Sequence, residues 1–98
     1  MKYKVNIRGD AKLDLKEIQE YLSSFGATPK VKLKQSFSTF IKNAAANPLM
    51  YPEYEDNKKY RRAVIEYGYL VFYTVGDRTV TVMRVLNDRQ NVNSIIIE

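Results

Sequence analysis

Cysteine and histidine are both absent from this 98-residue chain. Without cysteine there is neither a disulfide nor a thiolate metal site. Without histidine the commonest general base and the commonest metal ligand go together. Any chemistry must therefore rest on Arg, Lys, Tyr, Glu or Asp, and neither a metal nor a cofactor is expected. No apolar run reaches the ~18 residues of a membrane-spanning helix. The segment Met1-Lys2-Tyr3-Lys4-Val5-Asn6-Ile7 is too polar for a signal peptide. A cytoplasmic chain with no membrane partner is the expectation. Gly-rich phosphate loops, zinc-ligand spacings and nucleophile elbows are missing too.

What is present fits one domain over residues 1–98, with a hydrophobic fraction of 45% that is enough for a folded core. The net charge is +5 and the pI near 9.5. That balance favours a nucleic acid, a nucleoprotein or an acidic protein as partner.

Tyr3, Val5 and Ile7 alternate with Lys2, Lys4, Asn6 and Arg8, the pattern of a short strand with one buried face. Gly9-Asp10 stops it, with Asp10 as the expected helix N-cap. Ala11, Leu15, Ile18, Leu22 and Phe25 then recur at helical spacing, and Gly26 stands where a helix-ending glycine belongs. Thr28-Pro29 restarts a helix carrying Leu33, Phe37, Phe40, Ile41 and Ala44 on one stripe, and Asn47-Pro48 ends it. So short a link predicts an αα-hairpin. Residues 48–59 form a loop with an acidic cluster at Glu53, Glu55 and Asp56. Three strands follow, with turns at Tyr67-Gly68 and Gly76-Asp77. The order β-α-α-β-β-β predicts an α+β domain, an antiparallel sheet with the helical hairpin on one face.

In the second strand Arg62, Val64 and Glu66 share one face, and Arg61, Ala63, Ile65 and Tyr67 the other. In the third, Tyr69, Val71, Tyr73 and Val75 alternate with Leu70, Phe72 and Thr74; in the fourth, Val80, Val82, Arg84 and Leu86 alternate with Thr81, Met83 and Val85. Both faces are apolar. The face away from the helices therefore reads either as a docking surface, for a partner protein or a homodimer, or as the resting place of the tail Asn91–Glu98. Arg61, Arg62, Arg84 and Arg89 are the candidate target-binding residues, because the guanidinium fork suits phosphate and carboxylate. Lys59, Tyr60, Asn87 and Gln90 flank them as secondary candidates. Each arginine could equally be a solvated charge or pair with the acidic loop. Tyr69 and Tyr73 read as packing residues rather than base-stacking platforms.

The run from Tyr3-x-Val5 through Asp14-Leu15-x-x-Ile18-x-x-Tyr21, Tyr60-Arg61-Arg62, Tyr69-Leu70-Val71-x-Tyr73-x-Val75, Val80-x-Val82-x-Arg84-Val85-Leu86 and Asp88-Arg89-Gln90 resembles the RelE/ParE superfamily, the toxins of type II toxin–antitoxin (plasmid stabilisation) modules. The resemblance implies a compact α+β toxin neutralised by an antitoxin that wraps around it. RelE-like members of that superfamily cleave messenger RNA on the ribosome, and ParE-like members inhibit DNA gyrase by binding. The nuclease branch places Arg after the tyrosine that opens the third strand, where this chain has Leu70, and an acid/base His or Tyr near the end, where it has Val92-Asn93-Ser94-Ile95-Ile96-Ile97-Glu98. Arg84-Val85-Leu86 followed by Asp88-Arg89-Gln90 resembles the ParE pattern, with Asn87 where that pattern carries His. The ParE-like reading, a growth-inhibiting toxin with gyrase as target, is the expectation. The alternatives are a RelE-like ribosome-dependent endoribonuclease and a degenerate scaffold that only binds antitoxin.

Overall fold

The structure is a computed structural model and describes residues 2–96, so the end of the apolar run at Ile97 and the terminal Glu98 lie outside the described residues. The elements are β1 (Lys4–Ile7), α1 (Gly9–Ser23), α2 (Ala27–Ala46), β2 (Arg61–Val64), β3 (Leu70–Gly76), β4 (Thr79–Leu86) and a short α3 (Val92–Ile96). Among the described residues no helix is long and apolar enough to cross a membrane.

The sheet runs β1-β4-β3-β2, and it is mixed rather than antiparallel because β1 lies parallel to β4. The helices account for the difference. Tyr3 N–H donates to the Ala45 carbonyl at 2.8 Å, so α2 returns the chain to the end of the sheet where β1 began. From there β2 sets out in the direction of β1; β3 reverses it, β4 reverses it again, and β1 and β4 meet side by side with the same heading.

The core sits between the helical hairpin and one sheet face. Ala11 and Leu22 of α1, Leu33, Phe40 and Ala44 of α2, and Ala63, Tyr69, Val71, Tyr73, Val80, Val82 and Val85 of the sheet region are all buried in one cluster. The alternation expected for β3 is met. In β4 it fails at a bulge: Phe72 pairs with Arg84 but Tyr73 pairs with Val82, leaving Met83 as the extra residue. Val80, Val82 and Val85 therefore face the helices, while Leu86 and the partly buried Met83 join the opposite cluster.

That opposite face is covered by the protein itself. Tyr60, Phe72 and Leu86 form a second buried cluster, roofed by Tyr54, Leu70 and Met83 and by Val92 and Ile95 of α3. Tyr54 O–H donates to Asn93 Oδ1 at 2.7 Å and Asn93 Nδ2 to Asp56 Oδ2 at 3.1 Å, which pins α3 to the loop before β2. Of the two readings of this apolar face, the tail covers it around Tyr60, Phe72 and Leu86.

Several local expectations are corrected. Arg8, not Asp10, precedes α1, and Asp10 lies in its first turn. Gly26 (φ 113°, ψ −179°) is extended in a glycine-only way and precedes α2 rather than closing α1. At the β3–β4 turn Arg78 takes the left-handed conformation (φ 58°), while Gly76 belongs to β3. Tyr67 and Gly68 both have positive φ, as expected for the turn before β3.

Candidate functional site

The four candidate arginines lie within one sheet region yet do not converge. Arg62, Phe72 and Arg84 are in register across β2, β3 and β4, so the two arginines start about 10 Å apart across the intervening strand. Arg84 turns to α1, where its Nε donates to Asp14 Oδ2 at 2.7 Å and its Nη2 to Asp14 Oδ1 at 2.9 Å. Asp14 Oδ2 also accepts the Val85 backbone N–H at 3.0 Å. β1 ends at Ile7, opposite Val82, and the Asp14 carboxylate takes over the β4 edge beyond it. The hydrogen bonds to Asp14 raise the Arg84 pKa further, against the opposing effect of burial. This cation is committed to holding α1 on β4.

Arg61 is committed as well. Its register partner is Tyr73 on the helix side, and its Nη1 donates to the Tyr51 carbonyl at 2.7 Å. Arg62 lies half-buried toward the opposite face, its backbone N–H bonded to the Pro52 carbonyl at 3.0 Å. Neither arginine makes an ion pair with the acidic loop among the described residues; the loop instead meets β2 through its backbone, in a bridge between Glu53 and Arg61. Tyr60 is buried in the second cluster, and Lys59 is exposed with its backbone N–H on Asn57 Oδ1.

Arg89 differs from the other three. Asn87 Oδ1 accepts the backbone N–H groups of Arg89 (2.9 Å) and Gln90 (3.1 Å), and Gln90 Oε1 accepts Asn87 N–H (2.9 Å). This closed turn at the end of β4 fixes the backbone of Arg89 and leaves its side chain exposed, with no ion pair among the described residues. Asn87, Arg89 and Gln90 are thus the candidates the fold brings together.

The turn forms one wall of a groove of about 730 Å³ between the α1–α2 connection and the sheet. Tyr21, Phe25, Tyr67 and Tyr69 line it, with Asp14 and Glu17 on the α1 side and Arg89 opposite. Three of the aromatics are unusually open: Tyr21 59%, Phe25 63% and Tyr67 49% exposed. Tyr21 and Phe25 meet edge to face, ring centroids 5.3 Å apart. The apolar stripe of α1 was expected to bury Phe25, but α1 ends at Ser23 and Phe25 falls past it, beside the groove. Sequence reasoning missed this groove. Its signal was the tyrosine and phenylalanine four residues apart at the end of an amphipathic helix, which periodicity alone assigns to the core.

The tyrosine hydroxyls are poorly suited to act as bases. Burial pushes Tyr73 up to about 12, and its O–H donates to the Pro48 carbonyl at 2.6 Å. Tyr69 is raised by burial and then by Tyr21, and Tyr54 by burial and then by Asp56. All three hold their protons more tightly than a free phenol, the opposite of what base catalysis near neutrality requires.

Residues 5–92 match the family described as ParE toxin of type II toxin-antitoxin system, parDE. Curated proteins offer no match. Among solved structures, the chromosomal ParDE toxin–antitoxin system of P. aeruginosa superposes with a TM-score of 0.73 at 17% identity, over 87% of this chain and 95% of the other. A variant of the E. coli toxin RelE in the free state gives 0.67 at 17% identity, over 99% and 96%. The E. coli DinJ-YafQ toxin-antitoxin complex gives 0.62 at 16% identity, over the full length of both chains. At these identities the likeness speaks for a shared fold.

Proposed function

The chain belongs to the ParE toxin family of type II toxin–antitoxin systems, and from that membership we propose that it inhibits growth by binding DNA gyrase rather than by cutting RNA. The dispersal of the arginines supports this reading. Cleavage of a phosphodiester by its own 2′-hydroxyl needs a base, an acid for the leaving oxygen and cations gathered on one phosphate. Here Arg84 is held by Asp14 and Arg61 by the Tyr51 carbonyl, while Arg62 stands beyond the intervening strand from Arg84. The upward-shifted tyrosines add no base. A binding toxin needs none of these groups to converge, and Arg89, rigidly based and uncommitted, is its foremost target contact.

The partner that silences it is an antitoxin, seated by an apolar segment in the groove of Tyr21, Phe25, Tyr67 and Tyr69. Open aromatics around a concave surface suit an inserted amphipathic segment.

Induced expression in a bacterial host, read in parallel for plasmid supercoiling and messenger RNA 5′ ends, tests the target. The expected result is arrested growth with altered supercoiling or cleaved DNA, intact messages, and relief by Arg89→Glu in a protein that still folds. Codon-phased cuts within translated messages would overturn the gyrase reading. Normal growth with folded, abundant protein would favour an antitoxin-binding scaffold instead.

A further inference from the structure

The sequence from Tyr21 to Pro52 contains no Asp or Glu, and it includes all of α2. Along α2, Val31, Gln35, Ser38, Thr39 and Lys42 fall at helical spacing on one face, and every one is exposed. Lys32 and Lys34 flank that row and are exposed as well. None of the α2 lysines makes an ion pair among the described residues, where the salt bridges are Arg8–Asp10 and Arg84–Asp14. The acidic residues of the hairpin lie on α1, where Asp10, Asp14 and Glu17 act on Arg84.

The basic surface continues past the end of α2. Tyr3 N–H bonds the Ala45 carbonyl and Lys4 N–H the Arg78 carbonyl, at 2.8 and 2.9 Å, so the start of β1 joins the last turn of α2 to the β3–β4 hairpin. Lys2, Lys4 and Arg78 are exposed there, with Asp77 the one carboxylate in the hairpin turn.

We propose that the outer face of α2, extended by Lys2, Lys4 and Arg78, binds the phosphate backbone of duplex DNA without reading its sequence. Lys, Gln, Ser and Thr are among the side chains that commonly contact phosphate oxygens, and they fix position rather than sequence. A protein partner fits less well. Val31 is the one apolar residue of the row, whereas protein interfaces gather their energy in buried aromatic or aliphatic anchors. From Val31 to Lys42 the face spans about 17 Å of helix, the rise of roughly five base pairs along one strand. This surface is separate from the Arg89 groove and the inference does not depend on gyrase being the target.

Fluorescence anisotropy of a labelled 20-base-pair DNA duplex, titrated with the whole protein at several salt concentrations, tests it. With about four phosphates neutralised, log K should fall against log salt with a slope near −3.6. The K32Q/K34Q/K42Q variant should bind at least tenfold more weakly and lose about two to three units of slope. A control of equal net charge, K12Q/K16Q/K58Q, should retain most of the affinity. Circular dichroism should show both variants folded, since all six lysines are exposed. Equal weakening by the two variants would reduce the effect to net charge and overturn the site. So would an unchanged slope in the α2 variant, tighter binding of a duplex RNA, or no DNA binding at 50 mM salt.

Discussion

Replacing Asp14 with alanine should be the most costly change of an incompletely buried side chain in this protein. The carboxylate is 12% exposed and takes three hydrogen bonds, two from a guanidinium that is itself 28% exposed and one from the Val85 amide. Truncation leaves a partly buried cation and a strand N–H without their acceptor. Breaking a fully buried pair costs about 3–5 kcal/mol, and hydrogen bonds to a charged group contribute about 1.5–3 kcal/mol each. Some water can reach Arg84, so about 2–4 kcal/mol is expected for the site as a whole. A domain of this size has roughly 5–15 kcal/mol in total. Urea unfolding followed by circular dichroism would read this as a midpoint lowered by about 1–3 M. Asp14→Ala, Arg84→Ala and the double variant close a thermodynamic cycle, in which the pair should couple by at least about 1 kcal/mol. A loss below about 0.5 kcal/mol for Asp14→Ala, or strictly additive single changes, would refute the assignment of Asp14 as the clip between α1 and β4.

Two further outcomes concern the core and the groove. The Tyr73 hydroxyl ionises at about 12 in the fold against the ordinary 10. Its contribution to stability should be complete below pH 10 and be lost as pH rises through 12. Tyr73→Phe should flatten that alkaline decline, and a decline of undiminished steepness would show that another group causes it. Tyr21→Ala/Phe25→Ala should leave unfolding stability within about 0.5 kcal/mol per site, because both rings are largely exposed. Calorimetry should nonetheless show antitoxin bound at least tenfold more weakly, and an unchanged Kd would remove the groove as its seat.

Much of the fold was legible because it depends on near neighbours in sequence. The alternation of Tyr69, Val71 and Tyr73 with Leu70 and Phe72 places β3 between two cores, and Asn47-Pro48 ends α2 by steric exclusion. What escaped was decided over long range. The heading of β1 relative to β4 depends on where α2 returns the chain, which no local pattern carries. The bulge at Met83 adds one residue to a strand whose alternation otherwise reads cleanly, so Leu86 parts from Val80 and Val82, and Val85 joins them. The candidate site suffered most. Arg61 and Arg84 look like free cations in sequence, since their acceptors, a carbonyl at Tyr51 and a carboxylate at Asp14, lie 10 and 70 residues away.

The parallel pairing of β1 with β4 also governs when the protein comes into being. Lys4 waits for Thr79, a partner made 75 residues later, about 4–15 s at ordinary elongation rates. β4 is an inner strand, flanked by β1 and β3. Before β4 is made, the first strand has no neighbour in the sheet, and β2 and β3 pair only with each other. The first strand therefore joins the sheet only once β4 has been made.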